Sequence, residues 1–143
     1  MLLTIVLSCK KDKTNLDLSI VGKWKWAYYS IPYPNSSGGA TIVTPTIAGF
    51  NETLEFLNNY TWSKYIDNQK TDSGTYNVEY KEEVNPSNTI FKFKQVTYFR
   101  NNNYLGEDYY SNYSDSLVLN PSLKGYFISQ NVAYAGSIRV FKK

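Results

Sequence analysis

Carboxylates are the side chains of this sequence that could do acid–base chemistry, and they are spread along it without a paired arrangement. The candidates are Glu52, Glu55, Glu79, Glu82, Glu83, Glu107 and Asp108. No spacing singles out one general acid and one general base, so we expect these residues on solvated strand faces and turns. The sequence contains no histidine, which excludes a triad with a histidine base and metal sites that need a histidine ligand. We therefore expect a chain that is not an enzyme and that needs no cofactor and no metal ion.

The single cysteine, Cys9, carries the other reactive group, a thiol. It follows an apolar run at residues 2–7 and the small residue Ser8, and residues 10–12 read Lys-Lys-Asp. One cysteine cannot form an intrachain disulfide, and the apolar run is far shorter than the ~20 residues of a membrane-spanning helix. The pattern resembles a bacterial lipobox, in which the cysteine thiol is acylated and becomes the mature N-terminus. The alternative is an unmodified cysteine in a frayed apolar terminus.

The lipobox resemblance implies a cellular location for the protein and a division of the chain into three segments. Residues 1–8 would be a lipoprotein signal segment, residues 9–17 a lipidated polar tether, and residues 18–143 a folded domain. Acyl chains on Cys9 would hold the protein on a membrane, since each buried methylene contributes ~0.8 kcal/mol. We expect the outer membrane of the cell envelope, on its periplasmic or its surface side.

Net charge and composition limit the classes of partner that the domain can bind. The net charge is +3, and several lysines lie at the two ends of the chain, which leaves the remainder nearly neutral. A nucleic-acid binder needs a basic face, so we expect no nucleic-acid partner. Aromatic residues make up 17% of the sequence, including 14 tyrosines, and such residues favour β-strands and bury large areas.

Alternation of apolar and polar residues predicts an all-β fold. In residues 20–30, Trp24, Trp26 and Tyr28 share one strand face. Further predicted strands are 53–57, 60–66, 74–80, 89–99, one within 104–113, 116–120, 125–129 and 136–142, with Asn58-Asn59 as a two-residue turn. Short strands joined by hairpin-length turns predict an antiparallel meander that closes into a barrel of roughly eight strands.

One connection, residues 31–49, is much longer than a hairpin turn. It holds three prolines and three glycines, so most of it is not expected to join a strand ladder. Loops of this length are usually functional lids or disordered. We expect this one to cross the open end of the barrel, with Ile42 or Val43 facing Trp26 and Trp62.

The residues Gly22-Lys23-Trp24 resemble the Gly-x-Trp motif of lipocalins, where the tryptophan closes the floor of the barrel. In that family an arginine on the last strand often packs over the tryptophan, and Arg139 matches its position. The long connection matches the lipocalin lid loop. The segments ETLEFLNNYTW and DSGTYNV look like those of lipocalin-like lipoproteins common in Bacteroidetes. The resemblance covers about residues 18–143 and implies a lipocalin-like (calycin) barrel.

Two functions remain open for such a barrel. An eight-stranded barrel either holds one small ligand or is filled by its own side chains. For a small apolar or amphipathic ligand, the candidate contacts are Trp26, Tyr28, Ile42, Val43, Trp62 and Tyr109. Tyr109 belongs to an Asn- and Tyr-rich segment that suits sugar stacking or a plain polar loop equally in composition. The alternative is a structural or protein-interaction lipoprotein with a filled barrel and no ligand, its protein partner unknown.

Overall fold

The computed structural model describes residues 18–32, 39–84, 88, 90–121 and 137–143. Within them, Leu18–Ile20 forms a 3₁₀ turn and Pro45–Ala48 a one-turn helix, α1. The strands are β1 (Gly22–Pro32), β2 (Ala40–Val43), β3 (Glu52–Phe56), β4 (Thr61–Ile66), β5 (Gln69–Val84), β6 (Ile90–Arg100), β7 (Asn103–Asn112), β8 (Ser116–Pro121) and β9 (Ile138–Lys142). The predicted strand at 125–129 and the lipobox lie outside the described residues.

Eight of the described strands close into an antiparallel barrel. The order is β1-β3-β4-β5-β6-β7-β8-β9, and β9 pairs back onto β1. The extra strand, β2, pairs with the second half of β1, where Tyr29 lies opposite Val43. The first half of β1 pairs with β3, where Trp24 lies opposite Leu54. The predicted all-β antiparallel barrel is confirmed.

The turns between strands show where local chemistry sets the register. Asp67-Asn68 and Asn101-Asn102 all have positive φ, between 47° and 67°, which matches the two-residue turns that favour Asn and Asp. The first of these turns starts β5 at Gln69, so the predicted strand 74–80 is part of a longer one. The predicted Asn58-Asn59 turn is wrong, because Tyr60 joins it with φ 63°. Asn59 Oδ1 accepts the Thr61 hydroxyl at 2.6 Å and so stabilises the wider turn.

Aromatic and aliphatic side chains from all eight barrel strands pack together in the interior. The buried cluster comprises Ile20, Trp24, Trp26, Leu54, Phe56, Trp62, Tyr76, Val96, Tyr98, Tyr110, Leu117, Leu119 and Phe141. Two ring pairs meet edge to face, with centroids 5.2 Å apart for Phe56 and Tyr76 and 5.6 Å apart for Trp62 and Tyr98. Such edge-to-face contacts add stability beyond the buried area, so these side chains form a packed core.

Trp24 lies at the end of this core, and its predicted burial is confirmed. Its Nε1 donates to the Ile20 carbonyl at 2.8 Å, and its side chain is fully buried. Gly22 precedes it with φ 145°, a conformation that glycine tolerates best. The predicted packing of Arg139 over Trp24 is wrong. Because Lys142 pairs with Lys25, the next residue, Lys143, reaches Trp24 instead, with its Nζ 4.9 Å from the ring centroid.

Candidate ligand site in the barrel interior

Three charged residues are buried among the inward-facing side chains, and we call Glu52, Asp108 and Arg139 the polar layer. They are 4%, 1% and 7% exposed, respectively. Each lies on the inward face of its strand: Glu52 alternates with buried Leu54, and Asp108 with buried Tyr110. The expectation that Glu52 and Asp108 lie on solvated faces is therefore wrong. The same alternation in the sequence could have found both.

Arg139 and Glu52 form an ion pair through Arg139 Nη2 and Glu52 Oε1. Lys64 Nζ lies 3.5 Å from the other oxygen, Glu52 Oε2. The guanidinium also packs against the Phe141 ring, 5.2 Å from its centroid. A buried charge needs a partner to offset its lost hydration, and here one carboxylate is shared by two cations.

Asp108 titrates far from the usual range of a carboxyl group. Burial raises its pKa from 3.8 to about 7, although the Arg139 charge and the Tyr98 hydroxyl both act to lower it. The pKa of Tyr98 is raised well above 10, first by burial and then by the Asp108 charge. Near neutral pH the Asp108 carboxyl is therefore populated in both protonation states. It can donate or accept a hydrogen bond.

Trp26 Nε1, on a side chain 9% exposed, and Asp108 Oδ2 are among the buried polar atoms for which the described part of the chain provides no hydrogen-bond partner. A buried polar group left unsatisfied costs about 1–3 kcal/mol. The Arg139 charge acts on Asp108. Arg139 also lies two residues before Phe141, the strand partner of Trp26.

A short segment, residues 44–50, covers Trp26, and we call it the lid segment. Thr44 caps α1 by accepting the Ile47 amide, and Gly49 ends it with φ 77° while donating to the Pro45 carbonyl. Phe50 then stacks on Trp26, with ring centroids 5.4 Å apart and an angle of 23° between the planes. Ala48 and Phe50 both pack against the core.

The long connection is more ordered than expected, since β2 pairs with β1 across residues 40–43. Residues 33–38 lie outside the described residues. Of the two predicted lid residues, Val43 packs against the buried cluster, whereas Ile42 faces solvent and is 47% exposed. The alternation that brings Val43 inward turns its neighbour outward.

A β-bulge in β1 overturns the prediction that Tyr28 points inward with Trp26. Trp26 pairs with Phe141, and Tyr28 pairs with the next residue back, Val140, so Ala27 is the extra residue. Beyond the bulge, the residues of β1 that would have faced the interior face outward and their neighbours face inward. Tyr29 rather than Tyr28 therefore packs against the core. Sequence alternation alone carries no signal for this extra residue.

Of the remaining candidates, Trp62 belongs to the buried core and Tyr109 to the outer face. Trp62 is 1% exposed and donates to the Thr75 carbonyl at 3.1 Å, beside the β3–β4 turn. Tyr109 lies on the outer face with its ring centroid 4.5 Å from that of Phe93. It lines a surface hollow of about 360 Å³ together with Phe93, Val118 and Ile138. The interior site therefore keeps Trp26 and Val43 from the predicted set.

Other kinds of site were sought across the part of the chain that the structure describes. No group of three or more His, Cys, Asp and Glu side chains there could hold a metal ion. No helix there is both long and apolar enough to cross a membrane. Comparisons with protein-family models, curated proteins and solved structures found no match to this chain.

Proposed function

We propose that this chain is an envelope lipoprotein, anchored through Cys9, whose lipocalin-like barrel binds one small amphipathic molecule. The lipobox-like sequence around Cys9 supports the anchor and an outer-membrane location. The closed eight-stranded barrel and the buried Trp24 after Gly22 are compatible with the lipocalin resemblance. The domain itself acts as a binding module and not as an enzyme.

One observation carries the binding proposal: two partnerless polar atoms are buried in the barrel. Trp26 Nε1 and Asp108 Oδ2 have no hydrogen-bond partner among the described residues, and a buried polar group left unsatisfied costs about 1–3 kcal/mol. A ligand with a matching polar group recovers that free energy on binding. Its apolar part has Val43, Ala48 and Phe50 beside it. Because Phe50 stacks on Trp26, entry requires the lid segment to move.

Binding of an apolar dye tests the proposal directly. N-phenyl-1-naphthylamine is titrated into the complete chain carrying Cys9→Ser, which removes the site of acylation. We expect saturable fluorescence enhancement with one dye per chain. Phe50→Ala should change the dye affinity by about fivefold or more, since it removes about 1 kcal/mol of stacking on Trp26. Ile47→Ala is the matched control, because Ile47 lies in the same lid segment but is 69% exposed. Absence of saturable binding contradicts the proposal.

The structural alternative also has a specific observation in its favour. Five large aromatic side chains in the barrel are at most 1% exposed, namely Trp24, Phe56, Trp62, Tyr98 and Phe141. A barrel filled throughout would hold no ligand and would serve as a rigid spacer or docking partner in an envelope assembly. In that case the dye titration shows no saturation, and Phe50→Ala lowers stability without changing any binding signal.

A further inference from the structure

We propose that a two-stranded extension of the barrel, residues 81–84 paired with residues 90–93, docks on the lipid surface that holds the anchor. We call these two segments the rim ribbon. The inference rests on the proposed anchoring through Cys9 and adds to it a second, non-covalent contact with the membrane. The partner is the interface of a phospholipid bilayer, which the side chains of Val84 and Ile90 enter.

The rim ribbon extends β5 and β6 beyond the strands on either side of them. In the described part of the chain, β4 pairs with β5 only as far as Thr75, and β7 pairs with β6 only as far as Lys94. The two halves of the rim ribbon pair with each other, and the last pair is Val84 opposite Ile90. These two side chains are 64% and 58% exposed. The ribbon therefore presents an apolar pair beyond this end of the barrel.

The exposed side chains on one face of β5 and β6 follow the order of polarity across a membrane interface. Val84 and Ile90 come first, and two residues closer to the barrel Glu82 and Lys92 form an ion pair of 2.7 Å. Two residues further on comes Tyr80, which is 67% exposed. A rise of about 3.3 Å per residue puts the ion pair about 7 Å behind the apolar pair, and apolar faces enter an interface by about 5–10 Å. Lysine and tyrosine side chains favour the head-group level, where this arrangement places them.

The described chain begins at the same end of the barrel as the rim ribbon. Lys94, which directly follows the ribbon in β6, donates from Nζ to Ser19 Oγ at 3.2 Å. Residues 9–17 come before the described residues, and a chain of that length spans at most about 30 Å when fully extended. An anchor at Cys9 therefore holds this end of the barrel, and the ribbon with it, within reach of the bilayer.

A neighbouring turn adds a second exposed aromatic side chain at this end. Lys94 Nζ also donates to Asn112 Oδ1 at 3.2 Å, and the next residue, Tyr113, is 64% exposed. Asp115, in the same turn, pairs with Lys142 at 3.1 Å, as the two charges within the rim ribbon pair with each other. Because these carboxylates already have lysine partners, apolar insertion supplies the docking energy, and attraction to anionic lipid contributes little.

The test places a nitrobenzoxadiazole label on one thiol of the acylated chain. Acylation converts the Cys9 thiol into a thioether, so Val84→Cys supplies the thiol that reacts. Tyr104→Cys is the matched control, because Tyr104 is also exposed but pairs with Phe99, about 30 Å along β6 from Ile90. Each chain is purified in its acylated form from the membranes of the cells that make it. It is then reconstituted into phosphatidylcholine vesicles with or without phosphatidylcholine that carries a doxyl quencher on its acyl chain.

We expect the quencher to lower the fluorescence of the Val84 label about twofold or more and to leave the Tyr104 label nearly unchanged, since only the first lies within about 5–10 Å of the acyl boundary. Adding Ile90→Asp to the Val84→Cys chain should remove most of that quenching, because a carboxylate opposes entry into the apolar region. Ile47→Asp is the control for the added charge, since Ile47 is 69% exposed in the lid segment, and it should leave the quenching unchanged. High salt should also leave the quenching unchanged.

The outcomes separate this inference from the proposed anchor. Vesicle-bound chain with equal quenching at the two labels, or with none at either, overturns the inference and leaves the anchor standing. A Val84 label that is shielded by association between copies of the chain, without quenching by the lipid, also overturns it and assigns the ribbon to a protein interface. A chain that carries no acyl group on Cys9 overturns the anchor, and the inference with it. The comparison of the two labels decides the question even where Ile90→Asp fails to fold.

Discussion

Arg139 and Glu52 form an ion pair inside the barrel that joins β9 to β3, the strands on the two sides of β1. Both side chains are less than a tenth exposed. Their contact therefore bridges the two strands that flank β1, and it fixes the position of the Arg139 guanidinium.

Replacing either partner of the ion pair should lower the free energy of unfolding, and the two losses should differ in size. Removing one partner of a buried pair typically costs about 3–5 kcal/mol. Glu52→Gln leaves Arg139 and Lys64 without their shared carboxylate, so we expect a loss at the upper end of that range. Arg139→Met leaves Glu52 with Lys64 at 3.5 Å, so we expect the lower end. Urea unfolding followed by tryptophan fluorescence measures both. Losses below about 1 kcal/mol, or the reverse order, contradict this description of the pair.

Asp108 should make the stability of the protein fall as pH rises. Its pKa rises from 3.8, the ordinary value of this carboxyl group, to about 7 in the folded chain, so between these values only the folded state holds the proton. The stability that Asp108 contributes is therefore highest below about pH 4, decreases by up to about 1.4 kcal/mol per pH unit, and levels off above about pH 7.

The matched variant for this measurement is Asp108→Asn, which cannot titrate. Subtracting its free energy of unfolding from that of the wild type at each pH removes the contributions of all other groups. We expect this difference to decline steadily from pH 4 to pH 7. A difference that stays flat over that interval would show that Asp108 titrates normally in the folded protein.

Alternation in the sequence predicts most of the barrel and misses the parts set by single residues. It placed Trp24 and Trp26 on one inward face correctly, because strand geometry turns every second side chain to the same face. It failed at Tyr28, where one extra residue in β1 exchanges the two faces. The lipocalin resemblance failed for Arg139 because the β1–β9 register, which brings Lys143 to Trp24, depends on pairing between distant residues.

The candidate site could be predicted only in part, for a different reason. Trp26 and Val43 were identified by their apolar character and position. Glu52 and Asp108 were assigned to solvent because carboxylates are almost never buried unless paired. Their partners come from other strands, Arg139 from β9 and Tyr98 from β6. No local sequence pattern carries that information.

Gly74 should tolerate no side chain, because the backbone of the next strand lies against it. A Cβ at this position would be 1.9 Å from the Phe99 carbonyl oxygen and 3.1 Å from Trp62 Nε1. Gly74→Ala must push β5 and β6 apart locally, and we expect a loss of about 3 kcal/mol or more. Gly49→Ala is the comparison, since nothing lies within 4 Å of its Cβ and only its φ of 77° opposes the change, at about 1 kcal/mol. Equal losses in urea unfolding would contradict the close approach at Gly74.

Cys9 should carry the lipid anchor, on the evidence of the sequence. The acylated wild-type chain is expected in the membrane fraction and Cys9→Ser in the supernatant, because the lipid supplies the apolar surface that holds the chain on the bilayer. Mass spectrometry of the membrane fraction should give the mass of a chain that begins at Cys9 and carries acyl groups. Cys9→Ser protein that sediments with membranes as completely as the wild type would refute the anchor.

Native mass spectrometry of the complete protein, purified from the membranes of the cells that make it, tests the binding function most directly. The account predicts a complex with one small amphipathic molecule per chain, in addition to any covalent lipid on Cys9. Extraction with organic solvent should remove that molecule, and adding N-phenyl-1-naphthylamine to the extracted protein should restore a complex with one ligand per chain. A spectrum that contains only the unliganded chain, both before extraction and after the dye is added, would contradict the account and favour the filled barrel.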